Sequence, residues 1–336
     1  MPLEHALAAV IVGGLVLYLL GGGADFGGGV WDLLASGPRK AAQRALIEKA
    51  IGPIWEANHV WFIFVFVLLF SAFPPAFATL TTALFTPLTL YALGLVMRGA
   101  AFTFRHYDSD ARRRRRFGAL FSAASVGCPF LLGAMGAALV REQPLSLAVD
   151  VFVVAAGLFT LALVAALAAT YLTVEAADEA LREDFRRRAL GSLAVAGLAS
   201  WVALGTAESV APQLTARVGQ GGPAVFGTLF GALALALVAT RRFRLARLVV
   251  GALAGTVVIG WALAKGETLV WGEHTLASSH AQASTMRFLL AATVIAAVLV
   301  GPSLAFLFSV FSRPPMKSAA ISNGLDGGHG KEPKGA

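Results

Sequence analysis

The chain has 336 residues, of which 57% are hydrophobic and only 14% charged, with a mean hydropathy of +0.73. A soluble domain would carry about 25% charged residues, so a water-soluble globule is excluded. The net charge of +8 invites a nucleic-acid reading, but the basic residues sit in short loops between apolar blocks, which is the pattern of a membrane protein. Cys128 is the single cysteine, so neither an internal disulfide nor a thiolate metal cluster can form within one chain.

A membrane span needs roughly 20 apolar residues. Nine such blocks are predicted, over 6–33, 53–74, 76–104, 117–140, 148–173, 190–210, 222–240, 245–265 and 286–311. The expected fold class is an all-α integral membrane protein with nine transmembrane helices in one domain, residues 1–311. Residues 312–336 are Gly-, Ser-, Lys- and Pro-bearing with little to bury and are expected to form a disordered cytoplasmic tail. The opening M-P-L-E-H-A-L has no basic n-region, so the first block reads as a retained span and not as a signal peptide.

Basic residues set the orientation. The loops after spans one, three, five and seven carry clusters such as Arg39, Lys40, Arg44 and Lys49, or the run Arg112 to Arg116. The tail is basic too, while the even-numbered loops are nearly bare. The N-terminus is therefore expected outside and the C-terminus in the cytoplasm. Five consecutive arginines beside a span read first as a topology lock touching anionic headgroups, and second as a specific ligand site.

Span one contains G-G-G-A-D-F-G-G-G-V-W-D, residues 21–32. Gly21, Gly22, Gly28 and Gly29 fall three or four positions from Asp25 and share its helix face. Such a face admits another backbone, or water, close to the carboxylate. Small-residue helix packing is the better explanation of the glycines, but packing alone does not require an acid. No strand precedes the glycines, so a nucleotide-binding loop is excluded.

Span two opens with Trp55, Glu56, Asn58, His59 and Trp61 in an otherwise hydrocarbon-like run. Ionisable groups inside a membrane are costly and point by default to function. Glu56 has a plainer explanation as well, since an acid in the first turn of a helix is favoured by the helix dipole. His59 shares a face with Glu56 and reads as a relay member, a haem ligand or a hydrogen-bonded polar residue. Arg98 lies seven residues before Arg105, or ~10 Å at 1.5 Å per residue. With span one running inward, span two starting inside and span three running inward, Asp25, Glu56 and Arg98 are expected in one layer on the cytoplasmic side. An acid–base pair there would lower the cost of burial, and a chain of acids and waters would carry protons. Glu208, Glu267, Glu273, His274 and His280 read as solvated loop residues.

The block W-E-A-N-H-V-W, followed by A-F-P-P-A-F and by R-G-A-A-F-T-F-R at 98–105, resembles subunit II of the cytochrome bd quinol oxidases. A-D-F-G-G-G around Asp25 is similar to that family's first helix, and the likeness runs from residue 1 to about 311. The resemblance implies a bacterial cell-membrane protein that binds no haem itself. It implies a partner, subunit I, that holds two b-type haems, one d-type haem and the quinol site, with a small single-span subunit as a further candidate partner. By motif, Glu56 and Asp25 take acid positions on a proton path, which His59 would join, with Trp55, Asn58 and Arg98 in support. Thr103 stands where many members would carry an acid. The competing reading, from the residues alone, is a proton- or cation-coupled secondary transporter, although no internal repeat is visible.

Overall fold

The structure is a computed structural model that describes residues 2–219 and 222–311, with the side chains at 51–57, 106, 219 and 304–311 outside the description. The expected tail, 312–336, lies outside the described residues. The chain divides into Met1–Val294 and a second unit beginning at Ile295, of which residues 295–311 are described as helix. The first unit holds the packed helices and the paired side chains between them.

The elements are, in order, α1 (Leu3–Leu33), α2 (Lys40–Ala72), α3 (Pro74–Ala83), α4 (Phe85–Tyr107), α5 (Ala111–Ala138), α6 (Val151–Glu175) and α7 (Glu179–Ala207). A short turn α8 (Pro212–Leu214) and a π-helical turn, Thr215–Gly219, precede α9 (Gly222–Ala239) and α10 (Phe243–Lys265). A hairpin of β1 (Thr268–Val270) and β2 (His274–Thr275), a turn α11 (Leu276–Ser279) and α12 (Ala283–Phe311) complete the chain. Eight helices among the described residues are long and apolar enough to cross a membrane: α1, α4, α5, α6, α7, α9, α10 and α12. The remaining predicted span, 53–74, falls on α2, where the described apolar stretch is Asn58–Ala72.

Two sequence-based expectations are corrected. The helix that carries span two does not begin at Pro53, because α2 starts at Lys40 and runs unbroken through that proline. Glu56 is therefore more than four turns from the helix start, and the dipole explanation for its acid falls away. Span three is not one helix. Leu84 separates α3 from α4 with φ −103° and ψ 23°, because Pro87 has no N–H for the Ala83 carbonyl and its ring crowds that turn.

Helices α5 and α7 also begin earlier than predicted, carrying Arg112–Arg116 and Arg182–Arg188 on helix and not in loops. Asp110, Asp150 and Asp178 cap α5, α6 and α7 by accepting backbone N–H bonds, as short acids before an apolar run should.

Helix α1 is the hub, packing on α2, α5, α6 and α10, while α6 packs on α7 and α9 on α10. Its glycines permit this. A side chain at Gly27 would collide with the Val164 carbonyl of α6, and one at Gly29 with the Ser125 side chain of α5. Tyr18, Phe26, Val30 and Trp31 then join Leu163, Val164 and Leu172 in the main buried cluster.

The loops sort into two ends. At one, Arg39 of the α1–α2 loop meets Asp184 of α7 at 2.6 Å, and Arg241 of the α9–α10 loop meets Glu183 at 2.9 Å. At the other, Arg141 pairs with Asp150, Lys265 Nζ donates to the Leu139 and Leu269 carbonyls at 2.9 Å, and His5 meets Glu267 at 3.3 Å. His274 is there too, between Thr79 (2.9 Å) and Ser279 (3.0 Å). It ties β2 to α3 and α11, which corrects the reading of it as merely solvated.

Gly27→Ala is expected to cost at least ~1–3 kcal/mol, the range for overpacking, and to lower the melting temperature in detergent. Gly13→Ala, with nothing within 4 Å, should leave it unchanged. At the α6 N-terminus, burial pushes the Asp150 carboxyl up, but the Val153 N–H and the Arg141 guanidinium outweigh it and hold the group below the usual carboxylate range. A lowered folded value gives stability that is present above about pH 4 and lost as pH falls through the folded value. Melting curves from pH 6 to 3 should fall less steeply for Asp150→Asn than for the native chain.

Candidate functional site: paired groups between α1 and α4

Arg98 of α4 and Asp25 of α1 are both fully buried. Arg98 Nη1 donates to Asp25 Oδ2 at 2.7 Å and Nη2 to Oδ1 at 2.7 Å, a bidentate pair. Nη2 also reaches the Asp25 carbonyl at 2.9 Å, and Nε donates to Ser125 Oγ at 2.9 Å. Ser125 Oγ in turn donates to the Phe121 carbonyl at 2.7 Å. The guanidinium lies over two aromatic faces, Phe26 at 5.0 Å and Phe121 at 4.7 Å. Planar donors matched to carboxylate oxygens, with the remaining polarity satisfied, are what make a desolvated ion pair tolerable.

Seven residues further along each helix a second pair repeats the first. Arg105 Nη1 donates to Asp32 Oδ2 at 2.8 Å. Arg44 of α2 joins it, 3.5 Å from Asp32 Oδ1 and 3.2 Å from the Asp32 carbonyl. Arg105 also faces the Phe121 ring, at 5.6 Å, so one phenyl ring lies against two guanidinium groups. Seven residues in the other direction, the hydroxyls of Tyr18 and Tyr91 hydrogen-bond to each other, both buried. The three rungs share one separation of 73 residues along the chain. Seven residues are close to two helical turns, so the three residues of each helix stack on one face.

Helix α2 meets the ladder from the other side. The Asn58 amide is 2% exposed and lies against Gly21 and Gly22, where an added Cβ would come 3.1 and 2.8 Å from it. Neither its oxygen nor its nitrogen has a hydrogen-bond partner among the described residues. His59, partly buried, is within electrostatic reach of both Asp25 and Arg98. The antiparallel register that sets Asn58 against Gly21 and Gly22 brings the backbone of residue 56 level with residues 23 and 24. The side chains of Trp55 and Glu56 lie outside the described residues.

The predicted layer of Asp25 and Arg98 is thus present as a bonded pair, with Asn58 and His59 beside it. Sequence reading missed Asp32, Arg105, Ser125 and the two tyrosines. The signal was available, since 18, 25 and 32 map onto 91, 98 and 105 by one constant offset.

These features define a polytopic helical membrane protein built around paired polar groups buried between its helices. The family profile described as cytochrome bd terminal oxidase subunit II matches residues 3–311, and the chain belongs to that family. It is 32% identical over 123 residues to the cytochrome bd ubiquinol oxidase subunit 2 of Bacillus subtilis (strain 168). That match covers 37% of this chain and 36% of the relative's length. A chain in the solved structure of the bd oxidase from Geobacillus thermodenitrificans shares the fold at a TM-score of 0.76 and 20% identity, covering 93% of this chain and 99% of that one.

Arg98→Ala strands a buried acid and should cost ~3–5 kcal/mol, seen as loss of yield and of the folded peak in size-exclusion chromatography. The double change Asp25→Leu with Arg98→Met removes both charges and is expected to recover most of the folded protein.

Proposed function

We propose that this chain is the haem-free subunit of a quinol:oxygen oxidoreductase in a bacterial respiratory membrane. It supports a haem-bearing subunit I and helps deliver protons from the cytoplasm to the site of oxygen reduction. The observation that carries this reading is the family match over residues 3–311. The same match favours it over a secondary transporter built on the same buried acids. The two b-type haems, the d-type haem and the quinol belong, in this reading, to the partner.

Nine spans, with the N-terminus outside and the C-terminus in the cytoplasm, suit the clustering of Arg39, Arg182, Arg186 and Arg241 at one end. Protons would enter from that end. Glu56 and His59 would carry them, and the Asn58 amide, with a donor and an acceptor both unspent, would hold a water in the path. Asp25 fits a different role. With both oxygens on Arg98 it fixes the local field, so a proton passing nearby meets a charge that does not move.

Glu56→Gln is the test. The variant should assemble, show the visible bands of b- and d-type haem after gentle purification, and oxidise quinol roughly a hundredfold more slowly, the scale of a lost proton-transfer group. Normal turnover with unchanged proton uptake would remove Glu56 from the path. A native preparation that stayed colourless in every mild detergent, with no partner, would remove the oxidase assignment itself.

A further inference from the structure

At the end where the arginines gather, a cleft of ≈ 290 Å³ opens between the α1–α2 loop and α7, lined by Gly37, Arg39, Gln43, Asp184, Arg187 and Arg188. Its charges do not balance. Its lining sets Arg39, Arg187 and Arg188 against Asp184 alone, with Asp178 within electrostatic reach of Arg39. Asp184 is taken by Arg39 Nε at 2.8 Å and Nη2 at 2.6 Å and by Gln43 Nε2 at 2.9 Å. Glu183 serves Arg186, Arg187 and Arg241 together.

Arg188 is left without a bonded carboxylate. Its Nη2 donates to Gln43 Oε1 at 2.8 Å and to the Leu34 carbonyl at 3.2 Å, and its guanidinium lies over Trp31 and Phe185. Its Nη1 is buried with no hydrogen-bond partner among the described residues. An unspent guanidinium donor at a positively charged cleft calls for an anion with several acceptor oxygens.

The surroundings identify the anion's source. Leu33 and Leu34, just before the α1–α2 loop, are 51% and 52% exposed. Along α7 the exposed positions 187, 191, 195 and 198 are spaced four, four and three apart, so they form one stripe from Arg187 through Gly191 and Val195 to Leu198. Gly191 has nothing within 4 Å of its would-be Cβ, which leaves a furrow there, and Val195 and Leu198 are 54% and 69% exposed. A charged cleft that continues into an apolar furrow matches a phosphate with hydrocarbon attached.

We propose that this cleft binds the phosphate of an anionic phospholipid through Arg187 and Arg188, with an acyl chain lying along α7 over Gly191, Val195 and Leu198. The site is independent of the proton path and of the oxidase reading.

The test is native mass spectrometry of the delipidated, assembled protein titrated with phosphatidylglycerol, with phosphatidylcholine and with inorganic phosphate. Saturable binding of phosphatidylglycerol is expected, with phosphatidylcholine binding weakly. Arg187→Gln and Arg188→Gln should each weaken phosphatidylglycerol about tenfold, the effect of losing a hydrogen bond to a charged group. Arg287→Gln, exposed at the start of α12 and away from this cleft, should bind as the native protein does. Arg187 is exposed, so its variant carries the test even where Arg188→Gln does not assemble. Equal binding of the two lipids, or native affinity in Arg187→Gln, overturns the proposal. Displacement of phosphatidylglycerol by inorganic phosphate at matched concentration overturns the lipid assignment in favour of a free phosphate site.

Discussion

Everything near α1 answers to one constraint: a carboxylate and a guanidinium, both wholly out of water, must meet face to face. Asp25 and Arg98 satisfy it with two parallel 2.7 Å hydrogen bonds, and two further features follow from keeping them there. Gly29 lets α5 come near enough for Ser125 to accept the Nε hydrogen bond. Phe26 and Phe121 cover the guanidinium faces that hydrogen bonds cannot use. Compared with two apolar side chains of similar volume, the pair as a whole adds little net stability, because desolvation consumes most of the attraction. What the two ion-paired rungs favour together is register, since sliding α4 by seven residues against α1 would leave one acid and one arginine unpaired.

The glycines of α1 act through distance and not through backbone freedom. At Gly27 the neighbour is a main-chain carbonyl of α6, which cannot rotate away, whereas at Gly22 it is the side chain of Asn58. The same segment therefore has one face welded to the scaffold and another that touches a polar, incompletely bonded side chain. Tight packing on α6 and contact with an unbonded amide fall on different sides of one helix.

Much of this was legible from residue order. Apolar blocks of the right length mark the spans, and an acid and an arginine at membrane depth mark the pair, because hydrocarbon tolerates neither alone. Hydropathy could not place the start of α2, since Lys40 to Lys49 is polar yet helical and merges with the span through Pro53. Nor could it find the break at Leu84, where a proline's effect lies one turn upstream of the proline itself. Asp32 and Arg105 each sit near a helix end, where charge is ordinary, and only the partner's identity makes either part of a ladder. His274 was hidden by its loop, whose polarity masks a side chain bonded on both nitrogens.

The 73-residue offset between the rungs also has a meaning in time. A ribosome adds ~5–20 residues per second, so about 4–15 s separate the synthesis of Asp25 from that of Arg98. Asp32 meets Arg44 after only twelve residues, whereas the Asp25 pair closes only with a residue of the fourth helix. The second rung can therefore begin to form while α2 is being made, and the fully buried ion pair is the one that waits longer for its partner.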